Sequence, residues 1–273
     1  MQKLNILAGL FAVGFIGTVH ANETISDSNN QYTFSIGNQN MNYHEHEYIA
    51  QLNGADPDSD SGNQTTFRIS KTGQSKFLGI EDFYTRYQID YASGTNQYDG
   101  HYNGTFQPGQ ATSNASTFDA SMRVGKGFTF KDYAAFQLTP FAGFGMHLWH
   151  RQVGSNELNN EAYGHLFWEL GTMAQYAVND KLVLSTDIAF GKTVAPTMVV
   201  AGTTFHLGSS STINFGLGAD YKLNKNWHVN GRYEYSTFKY GISETHNVDG
   251  YAIHEPNSDT TIQKIYVGVG YSF

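Results

Sequence analysis

The last nine residues alternate between large apolar side chains and small or polar ones. The odd positions carry Ile265, Val267, Val269, Tyr271 and Phe273, and the even positions carry a tyrosine, two glycines and a serine. Successive side chains of a β-strand point to opposite faces, so this segment predicts a strand with one wholly apolar face. A soluble sandwich strand can show the same alternation. Here the apolar row runs on to the final aromatic residue, which favours a strand that meets lipid.

The same two-residue period recurs along the chain and predicts about ten strands. They are expected at residues 32–43, 65–71, 83–91, 118–128, 136–149, 163–178, 182–193, 213–223, 227–237 and 261–273. Short turns at 131–133, 179–181 and 224–226 alternate with polar segments at 46–63, 94–116 and 243–260. This arrangement predicts an all-β, up-and-down antiparallel transmembrane barrel. Eight strands is the alternative if the weak 65–71 segment and one neighbour are not strands, and Pro140 is expected at a strand end or bulge.

Composition and charge narrow the class further. The formal net charge is −8, which argues against nucleic acid as a partner because phosphate binding needs clustered Lys and Arg. The chain has no Cys, which excludes disulfides and thiolate chemistry. Residues 1–21 combine Lys3, an apolar run and a small-residue end, so they are expected to be a secretory signal peptide. Residues 22–273 then form one barrel domain, with no further apolar run long enough for a membrane helix.

The terminal row resembles the last strand of bacterial outer-membrane β-barrels, whose final Phe and alternating apolar residues are read by the assembly machinery. The chain as a whole resembles the small porin-family or opacity-type barrels that share an OmpA-like transmembrane domain. The resemblance implies export through the periplasm to the outer membrane of a Gram-negative bacterium, contact with lipid and lipopolysaccharide, and a possible extracellular ligand or host surface. It also implies that Ile265, Val267, Val269, Tyr271 and Phe273 act as the assembly signal.

Charged residues lie opposite the apolar rows, so a barrel would gather them in its lumen. The set is Arg86, Asp90, Asp119, Arg123, Glu169, Asp187, Asp220, Lys222, Arg232, Glu234 and Lys264. One interpretation is a plug of ion pairs in a narrow barrel, and the other is a narrow selective pore lined by the same residues. Inward glycines such as Gly216 and Gly218 are expected to make room for the Arg, Tyr and Phe side chains of this set.

Three other patterns could carry chemistry, and each has a simpler interpretation. His44 and His46 share a strand face and could grip one metal, but a site needs further ligands, so solvated histidines are expected. The run Asp56-x-Asp58-x-Asp60 is similar to the start of a calcium loop but lacks its later glycine and acid, so a plain acidic loop is expected.

Enzymatic barrels are the third pattern to weigh. A ten-strand count is similar to the omptin proteases, which place Asp-Asp and Asp-His pairs at the extracellular rim. The rim candidates here are Asp119, His246, Asp249 and His254, and they do not match that family's motif. We therefore expect a non-enzymatic barrel without cofactor or metal, whose loops serve surface contact or envelope structure. A small passive channel is the first alternative, and an omptin-like or lipid-modifying hydrolase is the second.

Overall fold

Ten long antiparallel strands close into a ring. The computed structural model describes residues 20–47, 57–101, 107–154, 160–248 and 251–273. Within these residues the elements are α1 His20–Ser28, β1 Gln31–His46, β2 Asp58–Phe77, β3 Ile80–His101, β4 Pro108–Lys126, β5 Phe128–Phe130, β6 Tyr133–Val153, β7 Asn160–Ala177, β8 Leu182–Val200, β9 Thr203–His206, β10 Ser211–Lys222, β11 Trp227–Tyr240, β12 His246–Val248, β13 Tyr251–Ile253 and β14 Asn257–Ser272.

Each barrel strand pairs with the strands before and after it in the chain. The ring runs β1–β2–β3–β4–β6–β7–β8–β10–β11–β14 and closes where β14 pairs with β1. The short strands β5 and β9 extend the walls beside β6 and β8, and β12 pairs only with β13. The predicted up-and-down barrel of ten strands is confirmed, and the eight-strand alternative is wrong. No helix of the described residues is long and apolar enough to cross a membrane.

A belt of apolar side chains surrounds the barrel on its outer face. Ile265 and Val267 of β14 are each 61% exposed, and Leu170 and Phe190 on the opposite wall are 58% and 57% exposed. So much aliphatic and aromatic surface facing water would be strongly unfavourable, whereas lipid is the solvent in which it is stable. Aromatic pairs such as Trp227 and Tyr271, with ring centroids 5.2 Å apart, lie near the end of the belt that carries the short turns.

The strands continue beyond this belt on the side opposite the short turns. Outward residues of β1 change from Phe34 and Ile36 to Asn38, Asn40 and Asn42. Asparagine cannot satisfy its amide in hydrocarbon, so this part of the wall stands above the lipid. The polar segment predicted at 94–116 is therefore wrong as a loop: β3 and β4 occupy 94–101 and 108–116, and residues 102–106 lie outside the described residues.

Two other predicted loops also contain strand residues in the structure. The weak 65–71 segment is the centre of the twenty-residue β2, which starts inside the predicted 46–63 loop. The predicted 243–260 loop contains β12, β13 and the start of β14. These strands were under-predicted because a wall above the membrane needs no apolar face, so its outward positions lose the two-residue period.

Pro140 lies within β6, at the point where the strand changes partner. Pairing of β6 with β4 ends at Phe141, and pairing with β5 resumes at Leu138. A residue without an N–H is tolerated there because the ladder on that side is interrupted. The expected strand end or bulge at Pro140 is therefore wrong, because β6 continues through the proline without a change of register.

Candidate functional site

The middle of the lumen is crossed by a continuous chain of ion pairs. In order of contact it runs Asp119, Lys264, Asp90, Arg68, Glu234, Arg232, Asp187, Arg123 and Glu169, with N–O distances of 2.5 to 3.1 Å. Arg86 joins it at 3.6 Å from Glu234. The ten side chains contribute five positive and five negative charges. The lumen layer is therefore neutral, which offsets the cost of burying each charge.

Several of these pairs link strands that are not neighbours in the barrel wall. Lys264 of β14 reaches Asp119 of β4 at 2.8 Å, and Arg68 of β2 reaches Glu234 of β11 at 2.5 Å. Arg123 of β4 holds Asp187 of β8 at 2.8 Å. Such contacts pass through the interior, so the chain of ion pairs tethers opposite walls and occupies the cross-section.

Inward glycines allow this layer to form. A Cβ at Gly216 would lie 2.2 Å from Nη2 of Arg232 and 2.6 Å from Oδ2 of Asp187. A Cβ at Gly143 would lie 2.9 Å from Oε1 of Glu169, and a Cβ at Gly145 would lie 2.6 Å from Cζ of Phe167. The prediction that the glycines make room for large lumen side chains is confirmed for these positions.

An aromatic layer lies above the ion pairs, towards the end where the wall rises out of the lipid. Its buried members are Met41, Tyr43, Trp149, Tyr163, Met198, Phe205, Leu207, Phe238, Tyr240 and Ile262. Trp149 stacks on Tyr163 with ring centroids 4.9 Å apart. His165 joins this layer to the one below, because its Nδ1 lies 2.8 Å from the Tyr240 hydroxyl and its ring is 5.3 Å from that of His147.

A carboxylate cluster surrounds Arg151 above the belt. Its acids are Glu45, Asp58, Asp60, Glu161 and Glu255, and they come from β1, β2, β7 and the segment before β14. Arg151 pairs with Glu161 at 2.6 Å and with Asp58 at 3.3 Å. The Tyr163 hydroxyl lies 3.2 Å from a carboxyl oxygen of Glu161 and 3.2 Å from one of Glu255. One guanidinium thus faces five carboxyl groups.

This imbalance changes the acidity of the cluster. Burial raises the pKa of Glu255 to about 7, with a further increase from the negative charge of Glu161. Burial also raises the pKa of Asp58 to about 6, against the lowering effect of Arg151, and raises the pKa of Glu45 well above its usual range. Protonation therefore relieves the excess negative charge as pH falls through 7 to 6.

Amide side chains fill the opposite end of the lumen. Asn29, which follows α1, donates to Gln74 at 2.7 Å and to Gln175 at 2.8 Å, and Gln74 is 3.0 Å from Gln137. Ile25 of α1 packs in a buried group with Ala177 and Val183. The described barrel contains spaces between these layers, among them two of about 120 Å³ each that Arg86 and Arg232 both line. The interior is thus filled at several levels, with small spaces between them.

The structure places all eleven predicted lumen residues on the inner face. Nine of them belong to the ion-pair layer. Lys222 pairs with Asp27 of α1, and Asp220 lies 2.7 Å from His228 nearer the short turns. The predicted assembly-signal row faces outward, with exposed fractions from 45% at Tyr271 to 61% at Ile265 and Val267.

Two arginines at the centre of these clusters escaped the sequence analysis. Arg68 stands between the outward Phe67 and Ile69, so the alternation marks it as inward, but its strand looked too weak to use. Arg151 follows Trp149, where strand 136–149 was expected to end. Its carboxylate partners come from four separate parts of the chain, and no local pattern predicts such a meeting.

The alternative sites do not assemble in the described residues. Asp119, taken as a rim residue, lies deep in the lumen on Lys264 and His147, so that placement is wrong. His246 and His254 lie on Glu244 and Glu47 respectively, and Asp249 is outside the described residues. No group of three potential metal ligands occurs in the part of the chain that the structure describes.

The two aspartates of the calcium-like run lie on a strand. Asp58 and Asp60 both point into the lumen from β2, where Asp58 pairs with Arg151 and Asp60 accepts from Asn96 at 2.5 Å. Asp56 falls outside the described residues. His46 of the two-histidine pattern contacts Asp259 of the neighbouring strand, which is the behaviour of a surface histidine.

Solved structures with this fold are outer-membrane barrels. The chain is similar to the outer membrane protease OmpT from Escherichia coli, with 11% identity, a TM-score of 0.58, and coverage of 92% of this chain and 100% of that one. It is also similar to the translocator domain of the autotransporter NalP from Neisseria meningitidis, with 16% identity, a TM-score of 0.50, and coverage of 93% and 92%. No family model matches the sequence, and no curated protein matches it.

The fold and the belt together define the setting of the protein. The closed ten-strand ring has the fold of outer-membrane β-barrels, and its exposed apolar belt is suited to the lipid of a membrane. The two similar structures differ in function, so the fold leaves the activity open.

Proposed function

We propose that this chain is a non-conducting barrel that presents its extracellular connections for surface contact or envelope structure. The observation that carries the proposal is the neutral ion-pair layer, whose members bridge opposite walls of the lumen. A pore needs a polar surface facing an open path, whereas here every charged side chain of the layer lies beside an opposite charge, and several of these pairs cross the barrel. The raised polar wall supports the same proposal, because it carries the connections clear of the lipid.

Conductance in planar bilayers tests the layer directly. The wild-type barrel is expected to give no steady current. The double variant R68A/E234A removes one cross-lumen ion pair without changing the net charge of the lumen. It leaves Asp90 paired with Lys264 and Arg232 paired with Asp187. It is expected to open a measurable current. The matched control is K76A/E81A, which removes an exposed pair beside the turn between β2 and β3. That control should stay silent.

Two results would contradict the proposal. A steady wild-type current, with an ion selectivity that changes in R68A/E234A, would identify the alternative of a passive channel. An unchanged, silent R68A/E234A barrel would show that this pair is not part of the seal.

The contact role is tested by exchanging connections. Cells carrying the barrel would be assayed for binding to host cells or matrix after residues 47–57, 102–107 and 242–256 are replaced by neutral sequence of equal length. Binding should be lost, while replacement of the short turn 179–181 should leave it intact. Binding that survives the exchange of all three connections would exclude them as the functional part.

The outward terminal row has its own proposed role. We propose that Ile265, Val267, Val269, Tyr271 and Phe273 are read by the outer-membrane assembly machinery, since they form a continuous exposed apolar face. Deletion of Phe273 should lower the amount of folded barrel in the membrane without changing refolding of purified protein in detergent. A refolding defect of equal size would instead indicate that the Phe273 side chain contributes only to stability.

A further inference from the structure

A serine, a histidine and an aspartate form a hydrogen-bonded line at the short-turn end of the lumen. Oγ of Ser272 lies 2.8 Å from Nε2 of His228, and Nδ1 of the same imidazole lies 2.7 Å from Oδ1 of Asp220. The three side chains come from β14, β11 and β10, which are adjacent strands. Neither the lumen ion-pair layer nor the carboxylate cluster includes them.

The order of donors is fixed by the aspartate. A carboxylate only accepts, so Nδ1 of His228 carries the proton and Nε2 is left with a lone pair. The Ser272 hydroxyl therefore donates to Nε2. This is the arrangement in which a histidine can remove the proton of a serine nucleophile, with the aspartate holding the ring in the required tautomer.

The aspartate is itself held in place. Nε2 of Gln31 donates to Oδ2 of Asp220 at 3.0 Å, and the Asn230 amide contacts the same oxygen. Gln31 reaches this position only because residue 270 is glycine, since a Cβ there would lie 1.7 Å from Oε1 of Gln31. His228 is 1% exposed and so has little freedom to rotate away.

We propose that Ser272, His228 and Asp220 form a hydrolytic triad for small carboxylic esters that enter from the short-turn mouth of the barrel. The position supports this direction of entry. Ser272 is the last residue of β14, at the short-turn end, and is only partly buried. Helix α1 packs through Ile25 beside β7 and β8, and its last turn reaches this region, where Asp27 pairs with Lys222 and the Ser28 carbonyl accepts from Nε2 of Gln31.

The reaction balances with water as the only co-reactant. Oγ of Ser272 bonds to the ester carbonyl carbon while its proton passes to Nε2 of His228. The bond to the leaving alkoxide then breaks, and the alkoxide takes that proton from His228. Water, deprotonated by the same nitrogen, cleaves the acyl-serine, so that a carboxylic acid leaves and the Ser272 hydroxyl is restored. Asp220 is a positioning residue and stabilises the imidazolium without taking its proton.

Covalent labelling of the refolded barrel tests the triad. A fluorescent fluorophosphonate reacts with serines activated in this way, and mass spectrometry of the C-terminal peptide identifies the modified residue. Folded wild-type protein is expected to be labelled at Ser272 and to hydrolyse p-nitrophenyl acetate. Both signals should vanish in S272A and fall by roughly 100-fold in H228A and D220N, the size of a lost general base.

Controls separate chemistry from folding. S236A removes a lumen serine away from the histidine and should keep full labelling, and every variant is checked for the heat-modifiable band of a folded barrel. Wild-type protein unfolded by boiling in detergent should not be labelled, which tests the site without any substitution. The proposal is overturned if folded wild-type protein is unlabelled at Ser272, or if labelling is equal in H228A or after unfolding. None of these readouts depends on conductance or surface contact.

Discussion

The carboxylate cluster around Arg151 should open as pH rises. Burial moves the pKa of Glu255 from 4.5 to about 7, so the folded state favours the neutral acid. The resulting stabilisation is complete below pH 4.5, falls as pH rises, and is lost above about 7. At 1.4 kcal/mol for each tenfold change, the difference is about 3.5 kcal/mol, or about 300-fold in a local opening equilibrium. Asp58, with its pKa near 6, titrates in the same direction.

Hydrogen exchange at two backbone amides measures this opening. The Ser243 amide donates to the Glu255 carbonyl at 3.0 Å, and the Glu255 amide donates to Oγ of Ser243 at 2.8 Å. After correction for the intrinsic rate, their protection should fall about 300-fold between pH 4.5 and pH 8. In E255Q, which stays neutral, most of that fall should disappear. The control E81Q, at an exposed pair far from the cluster, should behave like the wild type.

Two outcomes would refute this reasoning. Protection that does not change between pH 5 and pH 8 would mean that Glu255 is not buried against Glu161 in the folded state. A wild-type pH profile in E255Q would assign the titration to Glu45, Asp58 or Asp60 instead, because these acids face the same guanidinium.

Three further predictions concern the wall and the lumen. R123A leaves Glu169 and Asp187 with one partner fewer in a buried site, so the free energy of unfolding should fall by about 3–5 kcal/mol. Urea unfolding in lipid vesicles measures this change. A fall below about 1 kcal/mol would argue that the layer is solvated. V267R places a charge in the belt and should cost about 2–4 kcal/mol, whereas Q263R, above the belt on the same face, should cost less than about 1 kcal/mol. G37A puts a Cβ 2.0 Å from the Ile265 carbonyl oxygen and should slow refolding or lower stability. The fraction of heat-modifiable protein measures this effect. Normal stability would mean that β1 and β14 can separate at this position.

The sequence predicted the barrel best where lipid constrains the chain. Around Ile265 and Phe215 every second residue must be apolar, so the period, the inward charges and the strand number could all be read from residue types. Above the belt that constraint ends. Residues 94–101 and 108–116 therefore looked like loops although they are strands, because water accepts any polar side chain on both faces of a wall.

The sequence alone determined which residues face lipid and which face the lumen, since a two-residue period follows from strand geometry. The partners inside the lumen were decided by the closed ring. Arg68 and Glu234 are 166 positions apart, and Ser272 meets His228 and Asp220 only because β14 lies beside β11 and β11 beside β10. Alternation gives a side chain its face, but the register and closure of the barrel determine its height and its neighbour across the interior.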